Sequence, residues 1–205
     1  MREYITNQDY LIVNNYFTEE QVKTMLSEIR LWDELNYIEP ILDKMDKLGT
    51  DDTYICNFPY VDKIESPILN IISEMYQDDT ILSKIGEINS EFLYDNHDQT
   101  YISFPTTDNQ IMVDTKQSIV RVIDKEAYLY THDDVGWSPS GISILYWLWE
   151  EPKSFEGGNI VLNKKEIEVK RNMLLIMSST TKHRVTEIKG MGRIVIIQYP
   201  NSKGL

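Results

Sequence analysis

Two of the three histidines in this chain stand where they can do chemistry. His132 closes a β-rich run in YTHDDVGWSP, and Asp134 follows it at the second position. On a strand, residues i and i+2 project from one face. His132 and Asp134 can therefore reach one metal ion, while Asp133 points away. His183 opens another β-rich run far downstream. Two imidazoles and one carboxylate form the donor set of mononuclear non-haem Fe(II) sites, which keep further coordination positions open. Ten residues beyond His183, Arg193 begins an otherwise apolar strand in GMGRIVIIQYP. An arginine directed into a core there needs an anionic partner, and its planar fork suits a carboxylate. Each element also has a plain alternative. An isolated H-x-D can be a solvated histidine beside a turn-capping aspartate, and a strand-edge arginine can reach back to solvent. The remaining histidine, His97 in YDNHDQ, reads as a loop residue.

The elements that must position these groups divide the chain in two. In LIVNNYFTEEQVKTMLSEIRLW, Thr18 precedes Gln21 at capping-box spacing, and Val22, Met25, Leu26 and Ile29 recur at helical spacing. Tyr10 to Val13 reads as a short strand ahead of it. Further helices are expected from Ile38 to Leu48, ended by Gly49, and from Pro67 to about Tyr76, with Leu82 to Ile88 extending the helical region. From about Glu91 the helical period fades. Short β-rich runs follow at Ser118–Ile123, Ala127–Thr131, Ile142–Trp149, Asn159–Leu162, Ile167–Val169, Met173–Met177, Arg184–Ile188 and Arg193–Tyr199, separated by turn signals. Strands at this spacing predict a sandwich or jelly roll. The expected class is α+β: one domain over residues 1–205, with 1–90 mainly helical support and 118–199 the β core. Residues 90–117 are a candidate lid over the barrel mouth.

Composition narrows the partners. A chain of 205 residues with 41% hydrophobic residues can bury a sizeable core. The formal net charge of -13 disfavours nucleic acid, whose phosphates repel an acidic surface, and favours a basic peptide. The single cysteine, Cys56, excludes an internal disulfide framework. The polar N-terminus lacks a signal-peptide pattern, and the longest apolar run, Ile142 to Trp149, is far short of a membrane helix. A soluble intracellular protein of the cytoplasm is expected. The acidic runs Gly49–Asp52 and Gln77–Asp79 read as solvated loops, and Gly157-Gly158 as a tight turn feeding a strand rather than a phosphate loop.

Taken together, His132-x-Asp134, His183 and Arg193 resemble the Fe(II)- and 2-oxoglutarate-dependent dioxygenase superfamily. ISILYWLWEEPKSFEGGNIVL, HRVTEIKGMGRIVIIQY and LIVNNYFTEEQVKTMLSEI look like its prolyl 4-hydroxylase branch. The resemblance implies a double-stranded β-helix (jelly roll) core with N-terminal flanking helices. It implies His132, Asp134 and His183 as metal ligands and catalytic residues, and Arg193 as anchor for the 5-carboxylate of 2-oxoglutarate. Its cofactors would be Fe(II), 2-oxoglutarate as co-substrate and dioxygen, with ascorbate as a candidate reductant. Related halogenases replace the metal-binding carboxylate with a small residue, so Asp134 favours hydroxylation or demethylation.

Prolyl hydroxylase relatives often carry a tyrosine on the strand that here reads ISILYWLW. The alignment puts Trp147 at that position, with Tyr146 beside it. Alternation sets Ser143, Leu145 and Trp147 on one face and Ile144, Tyr146 and Leu148 on the other. Tyr128 and Tyr130, on one face with His132, are further candidates for the co-substrate pocket, and core packing is the alternative for all four aromatics. Val195 offers no second polar contact to the carboxylate. The resemblance implies oxidation of a protein or peptide side chain such as proline, with release of succinate and CO2. The alternatives are a hydroxylase of a small molecule and a non-catalytic jelly-roll binding or structural protein with a vestigial metal site. A cupin-like Zn or Mn enzyme would not need Arg193. The sequence is silent on oligomeric state.

Overall fold

The structure is a computed structural model that describes residues 1–34, 46–47, 53–57, 67–94, 100–105, 110–114, 119–123, 131–136, 138, 140–186, 188–190 and 192–203. In chain order, β1 (Glu3–Thr6) and β2 (Tyr10–Asn14) lead into α1 (Glu19–Glu34). Then come β3 (Asp46–Lys47), β4 (Thr53–Asn57), α2 (Pro67–Ser73), a 3-10 turn over Glu74–Gln77 and α3 (Asp79–Ile88). Strands follow: β5 (Thr100–Pro105), β6 (Gln110–Asp114), β7 (Ile119–Ile123), β8 (Ile142–Leu148), β9 (Phe155–Gly157), β10 (Ile160–Leu162), β11 (Lys165–Ile167), β12 (Met173–Ser178), β13 (His183–Val185), β14 (Ile188–Gly190) and β15 (Ile194–Gln198).

The expected capping box forms. The Thr18 amide donates to Gln21 Oε1 at 2.9 Å, and the Gln21 amide donates to Thr18 Oγ1 at 3.2 Å. Val22, Met25, Leu26 and Ile29 of α1 are buried. Asp78, expected in a solvated loop, instead caps α3 by accepting from the Thr80 and Ile81 amides, and it pairs with Arg2 at 2.7 Å. A helix start needs an acceptor for its free N–H groups, and the acidic run supplies one.

One large sheet runs β1-β2-β12-β8-β15-β5-β6-β7-β4-β3, and a small one runs β11-β10-β13. The alternation expected along β8 holds. Ile142, Ile144, Tyr146 and Leu148 join Leu174, Ile176, Ile194 and Ile196 in a core shared with α1, α2 and α3. Leu145 and Trp147 face the opposite way, into a second core with Leu175, Met177 and Val195 and with Ile160 and Leu162 of the small sheet. The large sheet thus has helices on one side and the small sheet on the other. Full burial of each large apolar side chain contributes roughly 1.5–3 kcal/mol. The architecture is the expected double-stranded β-helix. Among the described residues no helix is long and apolar enough to cross a membrane.

The structure corrects several expectations. Asp46 and Lys47, placed in a helix from Ile38, are extended and pair with Ile55 and Tyr54. A strand neighbour satisfies the backbone there, and it overrides apolar periodicity. The rest of that segment lies outside the described residues, as do residues 127–130 of another expected strand. The strand expected at Ile167–Val169 forms at Lys165–Ile167, opposite β10. The run Arg184–Ile188 splits between β13 and β14, which join different sheets. The candidate lid contains β5 and β6, and β5 pairs along β15 in the large sheet. The N-terminal part, expected to be mainly helical support, also gives β1, β2, β3 and β4 to that sheet.

Candidate metal centre and co-substrate pocket

A pair of backbone hydrogen bonds builds the candidate metal site. The His132 amide donates to the His183 carbonyl, and the His183 amide to the His132 carbonyl, both at 2.9 Å. Directly opposed residues of an antiparallel bridge project to one side, and the two imidazoles lie 4.2 Å apart between ring centroids. Asp134 sits one alternation further on. Its amide donates to the Ser179 carbonyl at 2.8 Å, and its carbonyl accepts from the Ser138 amide at 2.9 Å. These bonds hold the turn after the H-x-D against the segment before His183.

The side chains converge. One donor atom from each of His132, Asp134 and His183 lies within 4.8 Å of the others. Nε2 of His132 is 3.7 Å from Asp134 Oδ1, and Nε2 of His183 is 3.8 Å from Oδ2. Asp134 is 2% exposed and His183 4%. Burial holds the His183 pKa below the ordinary histidine value, against the opposing pull of Asp134; the neutral imidazole is the metal-binding form. The Thr181 carbonyl lies 2.9 Å from His183 Nδ1. With the proton on Nδ1 donated there, the Nε2 lone pair turns toward Asp134, as a metal ligand requires. A buried carboxylate facing two imidazoles is a site built for a cation, and its N, N, O donor set suits a first-row divalent metal with open positions. Asp133 points the other way, as alternation requires. It pairs with Lys182, and this contact holds its carboxyl below the usual range.

Arg193 presents the opposite case. It is 2% exposed, one residue ahead of β15. Its Nε donates to the Gly158 carbonyl at 3.1 Å, and its Nη2 has no partner among the described residues. Burial alone pushes its pKa down to about 9. Trp147 pairs across the sheet with Val195, two residues beyond Arg193, and is 0% exposed. Its indole Nε1, like that of Trp149, also lacks a partner among the described residues. A buried guanidinium with a free donor fits a carboxylate ligand.

The other aromatic candidates separate. Tyr146 lies on the helix side, where its hydroxyl donates to Asn172 Oδ1 at 3.1 Å and its ring packs edge-on against Phe17. It cannot line the pocket behind Trp147, because adjacent strand residues face opposite ways. Tyr128, Tyr130 and His97 lie outside the described residues. Sequence reasoning missed Tyr199, whose hydroxyl donates to Asp134 Oδ1 at 3.3 Å. Period-two alternation from Arg193 through Val195 and Ile197 pointed to it. Tyr199→Phe is expected to fold and to weaken Mn(II) binding about tenfold to a hundredfold, the usual cost of losing a group that orients a ligand. Titration calorimetry on the purified variant checks this, and unchanged affinity would remove Tyr199 from the site.

Residues 118–200 match the family model of the 2OG-Fe(II) oxygenase superfamily. No curated protein sequence matches the chain. Among solved structures, the fold is similar to a prolyl hydroxylase from Trichoplax adhaerens in complex with a peptide fragment of the hypoxia inducible factor oxygen degradation domain. The identity is 13%, 95% of this chain and 84% of that one are covered, and the TM-score is 0.56. A prolyl-4-hydroxylase from Pseudomonas putida matches at 11% identity over 96% and 94% of the two chains, with a TM-score of 0.57. The matched segment, which carries His132, Asp134, His183 and Arg193, thus shares the sequence pattern of that superfamily, whose enzymes use Fe(II) and 2-oxoglutarate. The fold of the chain is a double-stranded β-helix like that of the prolyl hydroxylases.

Proposed function

We propose that this chain hydroxylates a protein or peptide side chain, proline foremost, while converting 2-oxoglutarate to succinate and CO2. One observation carries the reading: a buried carboxylate between two imidazoles and a buried guanidinium with an unpartnered Nη2 occur in the same β-helix. Each lacks the opposite charge that the metal and the co-substrate would bring. The peptide class rests on likeness of fold to a prolyl hydroxylase held with a peptide.

In this reading His132, Asp134 and His183 hold Fe(II). Bound there, the metal supplies the activation of dioxygen. The remaining work belongs to the chain. Thr181 and Tyr199 orient two of the ligands. Arg193 holds the distal carboxylate of 2-oxoglutarate through charge-assisted hydrogen bonds, with the Trp147 indole N–H as a further donor. The apolar wall of Leu145, Leu175 and Val195 keeps water from that contact.

The test combines the protein with Fe(II), 2-oxoglutarate, ascorbate and a library of proline-containing peptides with basic flanks. Succinate release and a one-oxygen mass gain on a prolyl residue are expected. Absence of 2-oxoglutarate binding at millimolar concentration would overturn the oxygenase reading. Succinate release with oxygen gained only by small molecules would overturn the peptide assignment alone.

A further inference from the structure

We propose that Gly158 is a positioning residue for the co-substrate, because its missing side chain is the space in which the Arg193 side chain lies. This rests on Arg193 being the carboxylate anchor. A Cβ at position 158 would stand 2.6 Å from Arg193 Nε and 2.7 Å from Cδ, with Ile188 Cγ1 at 3.2 Å. Such distances are far inside van der Waals contact, so something would have to shift. The backbone at 158 has little freedom to retreat. On one side Gly157 pairs with Ile188. On the other, the Asn159 amide donates to Thr186 Oγ1 at 2.9 Å, and the Asn159 carbonyl accepts from the Thr186 amide at 2.9 Å. Arg193 is walled in and cannot swing to solvent. A methyl group would therefore displace the guanidinium.

The same glycine contributes a second element. Its carbonyl accepts a hydrogen bond from Arg193 Nε, while Nη2 has no acceptor among the described residues. The guanidinium is fixed at its stem and open at its tip. Glycine also fits the backbone, since φ at 158 is +69°. The Gly157-Gly158 turn is thus part of the anchor as well as a turn feeding a strand.

The experiment measures 2-oxoglutarate binding to Mn(II)-loaded protein by calorimetry, with Mn(II) binding measured separately. Gly158→Ala is expected to retain Mn(II) and to bind 2-oxoglutarate about tenfold to a hundredfold more weakly, the scale of a small misplacement of a binding group. Gly141→Ala is the control for backbone strain. Its φ is +75°, and its Cβ would meet only Asn89 Nδ2, at 3.9 Å; unchanged 2-oxoglutarate affinity is expected. A double-mutant cycle reads the contact directly. Gly158→Ala should lower the melting temperature much less in an Arg193→Ala background, where the methyl group finds room.

Gly158→Ala that binds 2-oxoglutarate as tightly as wild type would overturn the inference and leave the Arg193 reading standing. Wild-type protein that takes Mn(II) but not 2-oxoglutarate would overturn both. If Gly158→Ala alone does not fold, the cycle decides: a double variant that folds like Arg193→Ala supports the inference, and one that also fails to fold overturns it.

Discussion

Arg193→Met is expected to raise the melting temperature of the ligand-free protein and to abolish its stabilisation by 2-oxoglutarate. The two effects share one cause. The guanidinium is fully buried, its pKa is pushed down to about 9 by desolvation, and no carboxylate among the described residues stands beside it. At neutral pH it is still charged, so its desolvation is a standing cost to the ligand-free fold. Methionine fills similar space without that cost. The Gly158 carbonyl loses its Nε donor, which costs about 1 kcal/mol. Replacing buried ionic groups with well-packed apolar ones is often neutral or stabilising by about 1–4 kcal/mol. Binding moves the other way, since truncating one partner of a buried charged hydrogen bond costs roughly 2–5 kcal/mol. That corresponds to about a thirtyfold to several-thousandfold loss of affinity. Thermal melting with Mn(II), with and without 2-oxoglutarate, reads both effects. A variant that melts lower than wild type and is still protected by 2-oxoglutarate would remove Arg193 from the site.

The second large effect separates neighbouring carboxylates. Asp134→Ala is expected to weaken Mn(II) binding beyond the roughly tenfold to hundredfold cost typical of an orienting group, because it removes the carboxylate of the candidate metal site. Asp133→Ala should leave Mn(II) affinity close to wild type. The carboxylates are one residue apart, yet Asp134 is buried within 4 Å of both imidazoles, whereas Asp133 faces outward onto Lys182. Metal titration of both variants tests the alternation itself. Equal losses would mean that the H-x-D segment does not hold its strand geometry in solution.

That contrast is legible in the amino-acid sequence alone, because strand parity is local: it needs only the residue types and a period of two. The same parity separates Trp147 from Tyr146 but does not say which face carries the helices, and only the two packed cores decide between them. Contacts made across the fold leave no local trace. Gly158 has the sequence context of an ordinary turn glycine, and only packing brings it against Arg193, 35 positions away. Asp78 reads as a solvated acid because its partners on Arg2 and Tyr16 come from the other end of the helical region. Asp46 and Lys47 follow a helical apolar pattern that a strand neighbour overrides. Local chemistry is readable where one element suffices, and is lost where a partner from elsewhere decides.

The order of the large sheet has a kinetic consequence. β12 lies between β2 and β8, and β15 between β8 and β5. Each joins segments distant in the chain, as when Met173 meets Asn14 and Gln198 meets Thr100. Loop-closure entropy must be overcome before any such pair gains its hydrogen bonds, and topologies rich in distant pairings fold slowly, on the order of milliseconds to seconds. His183 meets His132 by the same kind of distant pairing, so the groups of the candidate metal site converge only through contacts of the slowly formed kind.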